Sequence, residues 1–108
     1  MNATAVGVLA AEAQRHGSLL IHYSSDYVFD GTKPSPYKED DQPNPINAYG
    51  RSKLAGDRVL GEIGGDYLIL RTSWVYTARG RNFLKTIPRL AQEREELSVV
   101  ADQIGAPT

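Results

Sequence analysis

The stretch SLLIHYSSDYVFDG, residues 18 to 31, decides the fold class of this chain. It opens on a short, nearly continuous apolar run, SLLIHYS, which is typical of a parallel strand buried on both faces. Polar side chains stand at the end of the run, namely Ser24, Ser25, Asp26 and Tyr27, before Asp30-Gly31 forces a turn. Ligands bind outside the carboxyl ends of parallel strands, so this cluster is a candidate site. The other interpretation is that these side chains only cap and turn the backbone.

A second apolar run, YLILRTS at 67 to 73, also ends in hydroxyls, and helical patterns alternate with both runs. In the first pattern, Val6, Leu9, Ala10 and Ala13 recur at spacings of three and four. We predict helices over residues 2 to 16, 48 to 62 and 82 to 95, and a last short strand, ELSVV, at 96 to 100. Gly17 and Gly64-Gly65 are expected to end the first two helices, and Pro88 to kink the third or mark its start. This alternation predicts an α/β fold, part of a Rossmann-like doubly wound parallel sheet.

Composition limits the classes of function. A chain of 108 residues with 41% apolar residues and a net charge of −1 is in the range of one soluble domain without a polybasic block. We therefore expect no nucleic-acid partner, and no apolar run approaches the roughly 20 residues that span a membrane. The absence of cysteine fits a reducing cytoplasm. A helical pattern starts at once and the chain stops just after a strand-like run, so we expect an internal fragment.

Tyr49 and Lys53 are four residues apart in the second predicted helix and share one of its faces. A free phenol has a pKa of roughly 10, so it is a poor acid at neutral pH. A neighbouring ammonium favours the phenolate and makes such a phenol a better proton donor. By itself a Y-x-x-x-K pair is common by chance.

Here the pair follows Ser25 by 24 residues, after a strand, a long loop and the start of a helix. That combination resembles the extended branch of the short-chain dehydrogenase/reductase superfamily. The stretches HYSSDYVFDG, PINAYGRSKLAGD, LILRTSWVY, NFL and VVADQIGAPT narrow the resemblance to the dTDP-4-dehydrorhamnose reductases. The resemblance covers nearly the whole chain and is weakest over the loop at 30 to 45.

The resemblance implies a role for individual residues. Ser25 would hydrogen-bond the substrate carbonyl, Tyr49 would protonate its oxygen, and Lys53 would assist Tyr49 and bind the nicotinamide ribose. Ser24 and Tyr49 would, like Lys53, bind the cofactor, and Asn2 falls where the superfamily has a helix asparagine that supports a proton relay. The positions that would line the sugar-nucleotide pocket are Asp26, Tyr27, Trp74 and Asn82.

The implied reaction is reduction of the C4 keto group of dTDP-4-dehydro-L-rhamnose by hydride transfer from NADPH, with NADH as the alternative donor. It yields dTDP-L-rhamnose, a precursor of cell-wall polysaccharide and lipopolysaccharide. Residues 1–108 would form the central and C-terminal part of an NAD(P)-binding Rossmann-like domain and run into the substrate-binding part near 74–108. The implied partner is the dTDP-sugar, with a homodimer as a candidate assembly. Some members bind Mg²⁺, but we identify no metal ligands here.

Two departures from the family pattern matter. The glycine-rich dinucleotide loop, G-x-x-G-x-x-G, is not among these residues, so we expect the fragment alone not to hold the cofactor and to be inactive. Thr77 also stands where the family often has glycine after SWVY.

The sequence also leaves room for interpretations other than the reductase. A sugar-nucleotide epimerase or dehydratase shares the Y-x-x-x-K helix, and a non-catalytic regulatory subunit can share the whole fold. A hydrolase triad of His22, Ser25 and Asp26 is disfavoured, because residues three apart in a strand face opposite ways and there is no G-x-S-x-G elbow. KEDD at 38 to 41 is more typical of a solvated loop than of a metal site.

Overall fold

The computed structural model describes all residues from 1 to 108 and contains three helices and two strands. In chain order these are α1 (Thr4–Arg15), β1 (Leu20–Ser25), α2 (Ala48–Ile63), β2 (Tyr67–Thr72) and α3 (Phe83–Glu93), with a short 3-10 turn at Asp26–Val28. The strands pair in a two-stranded parallel sheet, which confirms the α/β, Rossmann-like class. The chain forms two compact units, Met1–Arg71 and Thr72–Thr108.

The helix ends follow the local chemistry of the sequence. Gly17 has a left-handed φ of 60° just after α1, and Gly64, with a φ of 77°, caps the end of α2, as predicted. At the start of α2, the side chain of Asn47 accepts a hydrogen bond from the backbone N–H of Gly50 at 2.7 Å. This cap satisfies one of the unpaired donors of the first helical turn.

The core of the first unit is small. Its buried apolar side chains come from both helices and the 3-10 turn, and they are Ala10, Val28, Leu54 and Leu60. Leu9, which the periodicity placed on the buried face of α1, is instead 58% exposed. The helix is only 12 residues long and packs on α2 and β1 along the side that carries Ala10.

Only one face of the sheet is covered, so the prediction of strands buried on both faces is wrong for these residues. Both α1 and α2 contact β1 and each other, so they lie on the same side of it. Side chains alternate along a strand, and the residues pointing the other way are exposed: Ile21, Tyr23, Leu68 and Leu70.

The second unit differs most from expectation. Residues 96 to 100 form no strand, because a strand needs a hydrogen-bonded neighbour and the only sheet is β1 with β2. Instead the last residue returns to Ser73, where the Thr108 hydroxyl accepts from the Ser73 N–H at 3.0 Å and donates to its carbonyl at 2.8 Å. Helix α3 begins well before Pro88, which lies inside it, so the proline does not mark its start. None of the three helices is both long and apolar enough to cross a membrane.

Candidate functional site

The two serines of the opening stretch are the last residues of β1, and both are buried, with 4% and 5% exposure for Ser24 and Ser25. The Ser25 hydroxyl accepts a hydrogen bond from the backbone N–H of Tyr27 at 3.3 Å and donates one to the Asp26 carboxylate at 3.1 Å. Ser25 thus caps the 3-10 turn, as the interpretation of these residues as caps predicted. The same position puts its hydroxyl at the carboxyl end of a parallel strand.

Tyr49 lies in the first turn of α2, beside the 3-10 turn. Its ring meets the ring of Tyr27 edge to face, with the centroids 5.7 Å apart. Gly50 makes this approach feasible, since a Cβ atom there would overlap the carbonyl of Tyr27. The Tyr49 residue is 52% exposed and its ring is therefore accessible from solvent.

Lys53 is one turn further along α2, and it contacts a residue that precedes Ser25 in the sequence. Its ammonium donates a hydrogen bond to the carbonyl of Tyr23 at 2.5 Å. Tyr49 and Lys53 thus contact Tyr27 and Tyr23, the residues two after and two before Ser25. The structure brings all three residues of the predicted catalytic set to one end of β1.

Asn2 joins this region from the start of the chain. Its side-chain amide donates to the hydroxyl of Ser52 at 3.0 Å, and that hydroxyl donates in turn to the carbonyl of Tyr49 at 2.7 Å. Gly56 permits the approach, because a Cβ atom there would overlap the carbonyl of Asn2. The N-terminal residues therefore support the turn of α2 that carries Tyr49.

A buried polar cluster below these residues was missed by the sequence reasoning. Asp57 of α2 is 7% exposed, and its carboxylate accepts a hydrogen bond from the Ser24 hydroxyl at 2.8 Å. Nε2 of His22 lies 3.3 Å from the same carboxylate, and Nε of Arg71 lies 3.9 Å from it, both without hydrogen-bond geometry. The sequence contains a pattern that could have predicted this residue, because Asp57 follows Lys53 at the same spacing of four that separates Lys53 from Tyr49.

His22 faces this cluster and not Ser25, which excludes the hydrolase triad on geometric grounds. Its side chain is 11% exposed. Burial lowers the pKa of His22, the nearby Lys53 ammonium lowers it further, and Asp57 opposes both effects. His22 is a packed strand histidine, as predicted.

The loop at 30 to 45 is organised by one carboxylate. Asp30 accepts hydrogen bonds from the Tyr37 hydroxyl at 2.7 Å, the Asn44 amide at 2.8 Å, and the N–H and hydroxyl of Thr32. These donors, Asn44 foremost, hold the pKa of Asp30 well below its usual range. The ring of Phe29 stacks on Tyr37 with centroids 4.2 Å apart, which ties the loop to the 3-10 turn.

The acidic residues of KEDD do not gather around a common point. Asp41 forms an ion pair with Lys33 and accepts from the backbone N–H of Lys38 at 2.7 Å. No group of three or more histidine, aspartate or glutamate side chains in the chain is arranged to hold a metal ion.

In the second unit, Trp74 has a left-handed backbone with a φ of 46°, which is strained for a bulky residue. Its indole packs so closely on Gly105 that a Cβ atom there would come within 2.8 Å of the ring. Asn82 caps α3: its side-chain oxygen accepts from the Lys85 N–H at 3.1 Å and its amide donates to the Thr77 carbonyl at 2.7 Å. The predicted contact of both residues with a sugar nucleotide stays a prediction.

Comparisons with known proteins identify the family of this chain. The family model for the RmlD substrate binding domain matches residues 1–108. The chain belongs to the RmlD family. Over its 108 residues it is 62% identical to the dTDP-4-dehydrorhamnose reductase of Burkholderia thailandensis and 53% identical to that of Escherichia coli, and in each case it covers 36% of the relative's length.

Solved RmlD-family structures have the same fold. The dTDP-4-dehydrorhamnose reductase of Bacillus anthracis, solved in complex with NADP, superposes with a TM-score of 0.93 at 50% identity. The ortholog from Clostridium acetobutylicum superposes with a TM-score of 0.93 at 42% identity. Each match covers the whole of this chain and 38% of the solved chain, so these residues correspond to a part of the Rossmann-like fold of the RmlD family.

Proposed function

We propose that this chain is the central part of an NADPH-dependent reductase of the RmlD family, which reduces the C4 keto group of dTDP-4-dehydro-L-rhamnose. The observation that carries the proposal is the placement of α2 against the end of β1. There Tyr49 and Lys53 contact the residues on either side of Ser25. The names of the relatives support the substrate and the reaction.

Two features of the chain fit a bound nicotinamide cofactor. Tyr49 is half exposed, and an ammonium carries three N–H donors, of which Lys53 uses one on the Tyr23 carbonyl. The remaining donors suit the hydroxyls of a ribose. When bound, NADPH would supply the hydride, and NADP in the Bacillus anthracis structure supports this choice. The glycine-rich turn is not among these residues, so we expect the segment alone not to retain the cofactor.

The side chains would act on the substrate oxygen. As C4 gains the hydride, negative charge develops on its oxygen, and Tyr49 donates its phenolic proton there. Lys53 stabilises the phenolate that remains. The Ser25 hydroxyl turns from the Asp26 carboxylate and donates a hydrogen bond to the same oxygen, which stabilises the transition state.

The proposed contacts with the sugar nucleotide are Asp26, Tyr27, Trp74 and Asn82. Asp26 and Tyr27 follow Ser25 directly and are exposed. In the second unit, the strained backbone of Trp74 supports a functional role, because such strain concentrates at ligand-binding and active sites. The Asn82 amide is engaged in capping α3, so its contact with the ligand would use the remaining capacity of that amide.

The full-length protein carrying this segment tests the proposal. With NADPH and dTDP-4-dehydro-L-rhamnose, absorbance at the nicotinamide band should fall with time. Tyr49→Phe removes the proton donor and is expected to lower kcat by about 10²–10⁴-fold. Tyr67→Phe, a half-exposed tyrosine of β2, is the matched control and should keep full activity.

Undiminished turnover in Tyr49→Phe would reject the role of that phenol. A protein that co-purifies with NAD and consumes no NADPH would instead be an epimerase or dehydratase. A stoichiometric partner enzyme together with absent reductase activity would indicate a regulatory subunit, and sedimentation of the purified protein tests the candidate homodimer.

A further inference from the structure

The carboxylate of Asp57 is buried on the face of α2 that is turned toward the sheet. It lies four residues after Lys53 and eight after Tyr49, so the three side chains form one stripe along the helix. A buried carboxylate is unfavourable unless it is paired and hydrogen-bonded. Ser24, His22 and Arg71 surround it in a buried polar cluster, and neither proton donation nor cofactor binding uses this residue.

Asp57 connects α2 to both strands. On β1 it accepts a hydrogen bond from the Ser24 hydroxyl at 2.8 Å, and it lies 3.3 Å from Nε2 of His22. On β2 the guanidinium of Arg71 is 3.9 Å away. His22 and Ser24 lie on the face of β1 that is turned toward α2, and Ser25 follows immediately. A displacement of Asp57 would therefore act next to the candidate catalytic serine.

The three residues of the stripe contact the end of β1 and the 3-10 turn that follows it. Tyr49 packs on Tyr27, Lys53 donates to the Tyr23 carbonyl, and Asp57 accepts a hydrogen bond from Ser24 and lies 3.3 Å from Nε2 of His22. Of these three contacts, only the one made by Asp57 combines a charge with nearly complete burial. Sliding α2 along β1 would leave that charge without partners, so the Asp57 contact fixes the register of the helix.

We propose that Asp57 is a positioning residue, which holds α2 in register with the end of β1 so that Tyr49 and Lys53 converge on the oxygen held by Ser25. The catalytic part of this inference rests on the proposed reductase function. Asp57 itself does not touch the substrate. Its effect reaches the reaction through Ser24, the strand and the helix.

Steady-state kinetics of the full-length protein test the inference. Asp57→Ala removes all three contacts and is expected to lower kcat by about ten- to a hundredfold, because small displacements of reacting groups cost that much. The KM for the ketosugar nucleotide should change less than twofold, since Asp57 makes no contact with the ligand. Asp57→Asn keeps one acceptor for Ser24 but loses the charge, and should give a smaller loss in kcat with the same unchanged KM.

Glu62→Gln is the matched control, because Glu62 is an exposed carboxylate on the same helix. It should retain the kcat of the unchanged protein. A merely structural role for Asp57 would lower the melting temperature of both variants and leave the kcat of the folded protein unaltered, which would overturn the inference. If Asp57→Ala does not fold, the kcat and KM of Asp57→Asn decide the question.

A crystal structure of Asp57→Asn separates this inference from the proposed function, because it requires no turnover. A changed separation of the Tyr27 and Tyr49 rings supports positioning by Asp57, and rings still 5.7 Å apart would overturn it. An inactive unchanged protein would count against the reductase function alone.

Discussion

At the scale of single residues, the surroundings of His22 change its pKa and thereby link stability to pH. Burial lowers the pKa of His22 below its ordinary value of 6.5, the charge of Lys53 lowers it further, and the Asp57 carboxylate, 3.3 Å from Nε2, opposes both effects. The folded chain therefore binds a proton at His22 less readily than the unfolded chain does. As the pH drops below about 6.5, His22 of the unfolded state binds a proton first. The free energy of unfolding therefore decreases with decreasing pH until His22 of the folded state is protonated as well.

This gives a prediction for pH-dependent stability. The free energy of unfolding of the full-length protein should decrease as the pH drops from about 7 through the lowered pKa of His22. His22→Gln should flatten that decrease. Chemical denaturation at a series of pH values measures both slopes. Equal slopes in the His22→Gln variant and the unchanged protein would contradict the assignment.

Among the elements, α2 determines the site because it approaches its neighbours so closely. At Gly50 the helix touches the Tyr27 carbonyl, and at Gly56 it touches the Asn2 carbonyl. Gly61, near the far end of the same helix, has only the Tyr67 hydroxyl near its missing Cβ, at 3.7 Å. The three glycines of one helix thus face different surroundings.

Adding a methyl group at these positions should therefore have opposite effects. Gly50→Ala forces α2 away from the backbone of Tyr27 and is expected to destabilise the full-length protein by about 1–3 kcal/mol. Gly61→Ala meets no obstacle and should stabilise it by about 0.5–1 kcal/mol, because alanine loses less backbone entropy in a helix. Denaturant midpoints measure both values. A stabilising Gly50→Ala would show that the close approach is absent.

Periodicity and turn residues were sufficient to predict the three helices and the two long strands. They failed for ELSVV, because the formation of a strand depends on a neighbour that local sequence does not specify. The candidate site likewise contains residues that the sequence could predict and one that it could not. The spacing of Tyr49, Lys53 and Ser25 could be recognised in the sequence. The role of Asp57 could not, because it depends on which strand faces α2, and that is a property of the tertiary structure.

For the molecule as a whole, the uncovered sheet face has the largest consequence. Ile21, Tyr23, Leu68 and Leu70 form an exposed apolar surface next to a small core. Monomeric soluble proteins rarely leave such a surface open. Since the relatives are almost three times as long as this chain, we expect other parts of a full-length protein to cover this face.

The dye ANS, which fluoresces on exposed apolar surface, tests this expectation. The isolated chain of 108 residues should enhance its fluorescence strongly, and the full-length protein should not. Exchanging Leu68 and Leu70 for threonine in the isolated chain should weaken the signal, because it makes the open face more polar. Equal fluorescence from the isolated chain and the full-length protein would show that the face stays open.

The Asp30-centred loop has a consequence for how the sequence can vary. Its donors fold residues 30 to 45 onto themselves, while α2 is located by contacts along its own length. Insertions or deletions between Lys33 and Pro36 that keep the contacts of Tyr37 with Phe29 and Asp30 would thus change the length of the surface loop without shifting Tyr49. The length of this loop can therefore vary in evolution while the candidate catalytic residues keep their positions.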